Sequence, residues 1–144
     1  MVKLNLEIKS LDKNGVFDGY ASVFNVVDLH GDIVKQGSFA HCLKHSHVDN
    51  IKMLFDHDPS LQIGKWLSIM EDDCGLLVQG IVNMRNPFSQ KIYLLMKNKM
   101  VSGLSIGFIP IITMKDKCVR KIFQVDLKEI SIVRNPANQR ACLF

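Results

Sequence analysis

The chain is divided into short extended segments by residues that favour turns, and this division constrains the fold more than any other feature. Within a segment, apolar residues either alternate with polar ones or form a short β-branched run, as in Ile51–Phe55. Turn-forming clusters such as Asn14-Gly15 separate the segments, and strands joined by short turns pair in antiparallel fashion. We predict strands in the following segments: 2–8, 16–24, 51–55, 63–70, 76–82, 103–109, 119–125 and 127–133.

Two other segments predict helices. Asn86-Pro87 combines a capping side chain with a proline at the first helical position, and an amphipathic pattern follows it. Gly37-Ser38 offers an N-cap for a shorter helix that we expect to end near His45. About eight strands with two helices predict an α+β fold, mainly an antiparallel β-barrel or a strongly curved sheet with the helices packed outside.

Composition limits the class of protein. A chain of 144 residues, 47% hydrophobic and 22% charged, has the size and composition of one soluble globular domain, so we treat residues 1–144 as a single domain. No uninterrupted apolar run approaches the ~20 residues of a membrane helix. The first residues alternate in polarity where a signal peptide carries an apolar block, and the four cysteines form no C-x-x-C pair. We therefore expect a cytosolic protein with reduced thiols. A net charge of +4 is too mild to predict specific nucleic-acid binding.

One serine stands between two glycines inside an extended run. The segment Gly103–Gly107 matches the G-x-S-x-G elbow of the α/β-hydrolases, in which the serine lies on a strand-to-helix turn. Here a β-branched run containing Pro110 follows instead of a helix, and all five histidines precede the serine, whereas the hydrolase order needs one after it. Ser105 is thus a candidate nucleophile of a different fold. The alternative is a buried strand serine, with glycines that mark a bulge or a close backbone approach.

A histidine lies at the end of a predicted strand. His57 follows the strand Ile51–Phe55 at the point where a loop begins, and such positions commonly carry function. The flanking carboxylates of Asp56 and Asp58 favour the charged imidazole. The alternative is therefore a loop histidine with no part in chemistry.

Three further histidines lie near the first predicted helix, and we considered a metal site there. His41 and His45 share a helix face at i, i+4, with Cys42 and His47 close in sequence. No carboxylate or thiol ligand has the spacing of a known motif, and the segment ends in a loop. We therefore expect no metal.

Short blocks distributed over nearly the whole chain resemble, in content and in order, those of one protein family. They are Gly19–Phe24, Asp28 with Gly31–Val34, Gly37–Phe39, Leu54–Asp58, Ile63-Gly64, Gly75-Leu76, Ser102–Phe108, Glu129–Val133 and Asn135–Asn138. The family is the prohead (capsid maturation) serine proteases of tailed phages, whose fold is similar to that of the herpesvirus assemblins. The resemblance implies an assemblin-like fold.

The resemblance also implies roles for four residues. The family's H-D block places its histidine at His57, its S-x-G-F block places the serine at Ser105, and its E-[IV]-S-[IL]-V block places an acid at Glu129. His57 would deprotonate Ser105 and later protonate the leaving amine, while Glu129 would hold the imidazole tautomer and stabilise imidazolium. Assemblins carry a histidine in the third position and an arginine-bearing loop after it. Glu129 would replace that histidine, and Arg134 is the implied oxyanion stabiliser.

Alternatives to these roles stay open in the sequence. Glu129 could be a solvated strand residue, Asp56 or Asp58 could be the acid, and Arg134 could be a surface arginine. If His57 serves Ser105, their strands must lie close together. We therefore predict that the strands 51–55 and 103–109 are neighbours in one sheet.

The family's activity implies a serine endopeptidase that needs no cofactor. It would cleave phage scaffold protein, or the scaffold-like region of the capsid protein, and itself, inside the assembling prohead in the bacterial host cytoplasm. Capsid and scaffold proteins are the implied partners, and an inactive relative that binds them without cutting is the alternative. Assemblins act as dimers, so the apolar helix face at Phe88, Ile92 and Leu95 could belong either to the core or to a homo-oligomer interface.

Overall fold

A computed structural model describes residues 8–134, which form eight strands and two α-helices. The strands are β1 (Ile8–Leu11), β2 (Val16–Val23), β3 (Asp32–Val34), β4 (Lys52–Phe55), β5 (Asp58–Glu71), β6 (Gly75–Val82), β7 (Gly103–Asp116) and β8 (Val119–Val133). The helices are α1 (Ala40–His45) and α2 (Pro87–Lys97), and one 3-10 turn lies at Val48–Asn50. The predicted α+β fold is confirmed. The predicted strand from Val2 and the block at Asn135–Asn138 lie outside the described residues.

All eight strands belong to one curved sheet with β8 at its centre. The order runs β1-β2-β6-β5-β4-β8, and β7 pairs with the opposite edge of β8. Most pairs are antiparallel, but β3 and β4 run parallel to β8, beside its first and last residues respectively. The curvature brings β7 back towards β2. No ladder joins those two strands among the described residues, so the sheet is strongly curved rather than a closed barrel.

The core fills the concave side of this sheet. Trp66 and Phe17 are almost fully buried and meet edge to face, with ring centroids 5.5 Å apart. The alternation of β8 turns Ile130 and Ile132 to the core, where both are 0% exposed. Helix α1 contacts β8 and β5, and α2 contacts β5 and β6. The helices therefore cover apolar residues of the sheet.

The two predicted helix starts differ in outcome. Helix α2 begins as predicted, because the Asn86 side chain accepts hydrogen bonds from the backbone N–H groups of Phe88 and Ser89 and Pro87 is the first helical residue. Helix α1 ends at His45 as expected, but its N-cap is Phe39 and has no side-chain cap. Ser38 instead donates to the backbone carbonyl of Ile122 at 2.8 Å, which ties the start of α1 to β8.

Helix α2 buries only part of its predicted apolar face. Ile92 and Met96 are buried, together with Tyr93, whose hydroxyl donates to the Asp12 carbonyl at 2.9 Å. Leu95 is half-buried against the core, whereas Phe88 is 38% exposed. The face at Phe88, Ile92 and Leu95 is therefore mainly core. None of the helices in the described part of the chain is long and apolar enough to cross a membrane.

Three expectations about strands were wrong in detail. The segments 119–125 and 127–133 form one continuous strand, β8, because long-range pairing with β7 carries the strand through Asp126. Asp32–Val34, which is not among the predicted strands, is a short strand held by the distant start of β8. The strands β4 and β7 do belong to one sheet, but they are not neighbours because β8 lies between them.

Candidate active site

His57 lies in a two-residue turn between β4 and β5. Phe55 and Asp58 close the turn as a cross-strand pair, and the residues between them have positive backbone φ angles, 50° for Asp56 and 61° for His57. Two successive positive φ values are typical of the tight hairpin turns whose twist matches that of the strands. Side-chain-bearing residues adopt this conformation at a cost. The turn must therefore be held in place by its surroundings.

Hydrogen bonds from β8 and the residue after it hold this turn. The backbone N–H of His57 donates to Ser131 Oγ at 3.0 Å, and that of Asp56 donates to the Ile132 carbonyl at 2.9 Å. The Asp56 carboxylate accepts from the backbone N–H of Arg134 at 3.0 Å and from its Nε at 2.7 Å. Both residues of the turn, Asp56 and His57, are thus hydrogen-bonded to β8.

The Glu129 carboxylate links the histidine ring to the sheet. Its Oε1 is hydrogen-bonded to Nδ1 of His57, and its Oε2 accepts a hydrogen bond from Ser131 Oγ at 2.6 Å. The Glu129 side chain is 13% exposed and that of His57 is 43% exposed. In a neutral ring this arrangement places the proton on Nδ1, because a carboxylate accepts and cannot donate. The Nε2 lone pair is then available to accept a proton.

Ser105 lies on β7, the strand next to the one that carries Glu129, and both side chains project from the same face of the sheet. In the β7–β8 ladder, Ser105 is directly opposite Ser131 and Gly107 is directly opposite Glu129. Cross-strand partners project from the same face of a sheet, so Ser105 shares the face on which Glu129 meets His57. The core-facing residues of this region, Leu104 among them, project from the opposite face.

Gly107 makes room for the acid. A Cβ added there would lie 2.8 Å from the Cδ atom of Glu129, closer than van der Waals contact allows. The ladder register also shifts directly after Gly107, which marks a β-bulge. The close approach and the bulge were the alternative explanation of the glycines around Ser105. The structure has both the bulge and the close approach, and the missing side chain of Gly107 leaves space for the Glu129 carboxylate next to β7.

Ser105 and His57 line one cavity of about 400 Å³. Ile106, Gly107 and Phe108 also line it, together with Asp28, Asp32 and Arg120. The Ser105 residue is 5% exposed. Among the described side chains no hydrogen bond joins Ser105 to His57. Hydrogen bonds between catalytic groups are often long in unliganded enzymes and shorten when substrate binds.

Asp28 and Asp32 line the cavity, and each has hydrogen-bond partners in the protein. Asp28 Oδ1 accepts from the backbone N–H groups of His30 and Asp32, at 2.8 and 2.9 Å. Asp32 forms a two-point ion pair with Arg120, at 2.7 and 2.8 Å. Burial raises the pKa of the Asp28 carboxyl. The negative charge of Asp32 is matched by Arg120.

The electrostatic surroundings favour a charged imidazole. The hydrogen bond that Nδ1 donates to Glu129 raises the pKa of His57, partial burial acts in the opposite direction, and the charges of Glu129 and Asp56 add to the rise. The net direction is upward. This is the direction needed for a base that carries a positive charge after it has taken a proton.

Arg134, the implied oxyanion stabiliser, lies beside the turn that carries His57. Its Nε atom and backbone N–H are both bound to Asp56, and its guanidinium lies 5.9 Å from the centre of the Phe55 ring. Its backbone N–H is therefore already in use and is not a free oxyanion donor. The described contacts make Arg134 an anchor of the turn that carries His57, and the oxyanion role stays a prediction.

The histidines near α1 do not assemble a metal site in the part of the chain that the structure describes. The rings of His41 and His45 lie with centroids 4.5 Å apart at an angle of 47°, and His47 pairs with Asp49 at 3.3 Å. Within residues 8–134, no cluster of three or more histidine, cysteine or acidic side chains could hold a metal ion.

Sequence reasoning missed three residues that build this site. Ser131 bridges Glu129 and the turn, Gly107 makes room for the carboxylate, and Asp56 was considered only as a competing acid although it anchors the turn to Arg134. One signal could have identified Ser131. It lies two residues after Glu129 on an alternating strand and therefore on the same face.

Comparisons with known proteins identify the family of this chain. The sequence model of the family described as caudovirus prohead serine protease matches residues 4–143. The chain is 36% identical over 135 residues to the prohead protease of Enterobacteria phage HK97, an alignment that covers 90% of this chain and 59% of that protein. The chain therefore spans somewhat more than half the length of this relative.

Two solved structures have a similar fold. The capsid assembly protease of bacteriophage T4 superposes with a TM-score of 0.64 at 11% identity, over 82% of this chain and 80% of that one. The KSHV protease, in complex with a hexapeptide phosphonate inhibitor, gives a TM-score of 0.57 at 12% identity, over 82% of this chain and 58% of that one. At these identities the likeness shows the fold alone, and it confirms the expected assemblin-like architecture.

Proposed function

The chain belongs to the caudovirus prohead serine protease family, and we propose that it is a serine endopeptidase of phage capsid maturation in which Ser105 is the nucleophile, His57 the general base and Glu129 the acid that orients it. Its substrates are scaffold protein or the scaffold-like region of the capsid protein, together with its own chain. It acts inside the assembling prohead in the bacterial host cytoplasm. The reaction uses no cofactor.

One observation carries this proposal. Nδ1 of His57 is hydrogen-bonded to Glu129, in a cavity that Ser105 also lines. A carboxylate on Nδ1 fixes the tautomer that leaves Nε2 free to accept, as a serine protease base requires. The acid is hydrogen-bonded to the histidine, and the histidine lines the same cavity as the serine. These residue types in this arrangement fit nucleophilic attack on a peptide carbonyl.

In the first half of the reaction, Ser105 Oγ bonds to the carbonyl carbon of the scissile peptide and its proton passes to His57 Nε2. The carbonyl oxygen becomes an oxyanion. The intermediate then collapses, the C–N bond breaks, and Nε2 gives its proton to the departing amine. In the second half, water attacks the ester on Ser105 while His57 again takes and returns the proton. Glu129 remains ionised throughout and stabilises the imidazolium.

In this scheme the hydrogen bond between Ser105 Oγ and His57 Nε2 forms when substrate binds. The His57 ring is held by Glu129 and by its turn, so the adjustment falls to the Ser105 side chain and to the bulged strand segment after Gly107. The oxyanion is stabilised by backbone N–H groups near Ser105, with the Arg134 side chain as a second candidate.

Confinement explains how a small protease processes many copies of a shell protein. Enzyme and substrate enclosed in one particle meet at a high effective concentration, so a modest bimolecular rate is sufficient. The same confinement keeps the activity away from other proteins of the host.

The test is cleavage of the major capsid protein of the same phage or prophage, co-expressed with the protease and examined by mass spectrometry. The wild type should give a truncated capsid protein, whereas Ser105→Ala and His57→Ala should leave it intact. Ser89→Ala removes an equally buried serine that lies on α2 away from the cavity, and should cleave like the wild type. Cleavage by folded Ser105→Ala would contradict the proposal. An inert wild type would favour the alternative of a relative that binds without cutting.

A further inference from the structure

Ser131 is a fully buried polar residue at the centre of the site, with 0% of its surface exposed. Burying a hydroxyl is unfavourable unless its hydrogen bonds are made. Ser131 makes them with two site residues. Its Oγ donates to Glu129 Oε2 at 2.6 Å and accepts from the backbone N–H of His57 at 3.0 Å.

The position of Ser131 explains these contacts. It faces Ser105 across the β7–β8 ladder and Leu54 across the β4–β8 pair, so it lies between the two strands whose ends supply the nucleophile and the histidine turn. It is also two residues from Glu129 on the same face of β8. From this position the Ser131 hydroxyl donates a hydrogen bond to Glu129 and accepts one from the backbone of the His57 turn.

Ser131 is not a second nucleophile. Its proton is directed to a carboxylate rather than to an imidazole nitrogen, and it has no exposed surface, whereas Ser105 borders the cavity. Its contacts are with the groups that act on Ser105. Any effect on the reaction must therefore pass through His57 and Glu129.

We propose that Ser131 is a positioning residue, which holds the Glu129 carboxylate and the His57 main chain in the relative orientation that keeps Nδ1 bound and Nε2 turned towards the serine. This inference rests on the proposed roles of His57 and Glu129. Without the hydroxyl, Glu129 Oε2 loses a donor and the His57 N–H loses an acceptor. Both groups then gain freedom to move away from each other.

The charged groups around the ring define the test. His57 contacts Glu129 of β8, with Asp56 and Asp58 beside it in sequence and Arg134 bound to Asp56. From the other elements, Asp28, His30, Asp32 and Arg120 line the same cavity as the ring. Of these, Glu129 acts on the ring by a direct hydrogen bond. If Ser131 holds Glu129 in place, Ser131→Ala weakens that bond and lowers the pKa of His57. If Ser131 only competes for the carboxylate, its loss strengthens the bond and raises the pKa.

The experiment follows the His57 ring by ¹⁵N NMR as a function of pH in the wild type, Ser131→Ala, Ser131→Thr and Ser38→Ala. Ser38 is the matched control because it is also 0% exposed, and its hydroxyl is bound to backbone carbonyls away from the site. We expect the His57 pKa to fall in Ser131→Ala, to recover in Ser131→Thr, which keeps the hydroxyl, and to stay unchanged in Ser38→Ala. An unchanged or raised pKa in folded Ser131→Ala would overturn the inference.

The rate of labelling by a fluorophosphonate, which forms a bond to an activated serine and releases fluoride, provides the second readout. Ser131→Ala should label about 10- to 100-fold more slowly, the factor expected for the loss of one hydrogen bond to a charged group. Wild-type-like labelling would contradict the inference. If the wild type itself does not label, the proposed protease function fails, while the NMR comparison still decides whether Ser131 positions Glu129 and His57.

Discussion

The Glu129 carboxylate accepts a hydrogen bond from Nδ1 of His57, although the two residues are 72 positions apart in the chain. This contact exists because β4 runs parallel to the end of β8, so that the turn after β4 passes over the side chains of β8. It selects the ring nitrogen that is available for chemistry. Every prediction below depends on it or on the groups that support it.

Removing the charge of Glu129 should slow the reaction strongly without unfolding the protein. Glu129→Gln keeps the shape of the side chain but cannot stabilise imidazolium, so we expect fluorophosphonate labelling and capsid cleavage to fall by roughly 10²- to 10⁴-fold. Glu71→Gln is the control, since Glu71 binds the backbone of Gly37 away from the site. Wild-type rates in Glu129→Gln would show that another group orients His57.

Activity should rise with pH through an apparent pKa above the ordinary ~6.5 of histidine. The base must be neutral to accept the serine proton, and the hydrogen bond that His57 donates to Glu129 raises the pKa of His57. In Glu129→Gln the rising limb should move to lower pH, because the stabilised imidazolium is lost. The measurement is the labelling rate across pH 5 to 9 for both proteins. If the rising limb does not move, the pKa of His57 does not depend on Glu129.

The same shift predicts a pH-dependent stability. Because the folded-state pKa of His57 is raised, the interaction with Glu129 stabilises the fold below the unfolded-state pKa, and this stabilisation is lost as pH rises through the folded-state value. We expect the stability difference between wild type and His57→Ala, measured by urea denaturation, to shrink from pH 5.5 to pH 9. A difference that grows with pH would mean that His57 is held in its neutral form.

Gly107→Ala should impair catalysis through Glu129. The new Cβ would displace the carboxylate and thereby weaken its bond to His57. We expect slower labelling in the wild-type background and little further loss in a Glu129→Ala background, where the clash is absent. Equal losses in both backgrounds would instead mean that the new Cβ slows labelling by distorting β7 and not by displacing Glu129.

A double-mutant cycle separates the two possible roles of Arg134. If Arg134 acts only by anchoring the turn through Asp56, Arg134→Ala and Asp56→Ala should have similar effects on the labelling rate, and the double variant should be little worse than either. The stability cost should be small, on the order of 1 kcal/mol, because the arginine side chain is 69% exposed. A larger rate loss for Arg134→Ala, with no matching loss in Asp56→Ala, would support the oxyanion role.

Local patterns predicted the elements of this fold, but not how they meet. The alternation of β2 and β6 and the Asn86-Pro87 helix start depend on neighbouring residues, and both are found. The short strand β3 is different, since Asp32–Val34 becomes a strand only through pairing with the start of β8, about ninety positions away. Such pairing leaves no local signal.

The same distinction applies to the site. His57 and Ser105 could be selected from their motifs and from a family resemblance, because each lies in a short characteristic block. The strand alternation placed Ser131 on the same face as Glu129, but it did not predict the bridging role of Ser131, because a serine in an alternating strand resembles a solvated residue until its burial is known. The anchoring of Asp56 by Arg134 likewise depends on the turn geometry.

The most direct test of the central claim is peptide mapping by mass spectrometry after treatment with a fluorophosphonate at pH 8. The account predicts one adduct, on Ser105, which forms much more slowly in His57→Ala and is absent from heat-denatured protein. An adduct on a different residue, or equal labelling of folded Ser105→Ala, would contradict the assignment of Ser105 as the nucleophile.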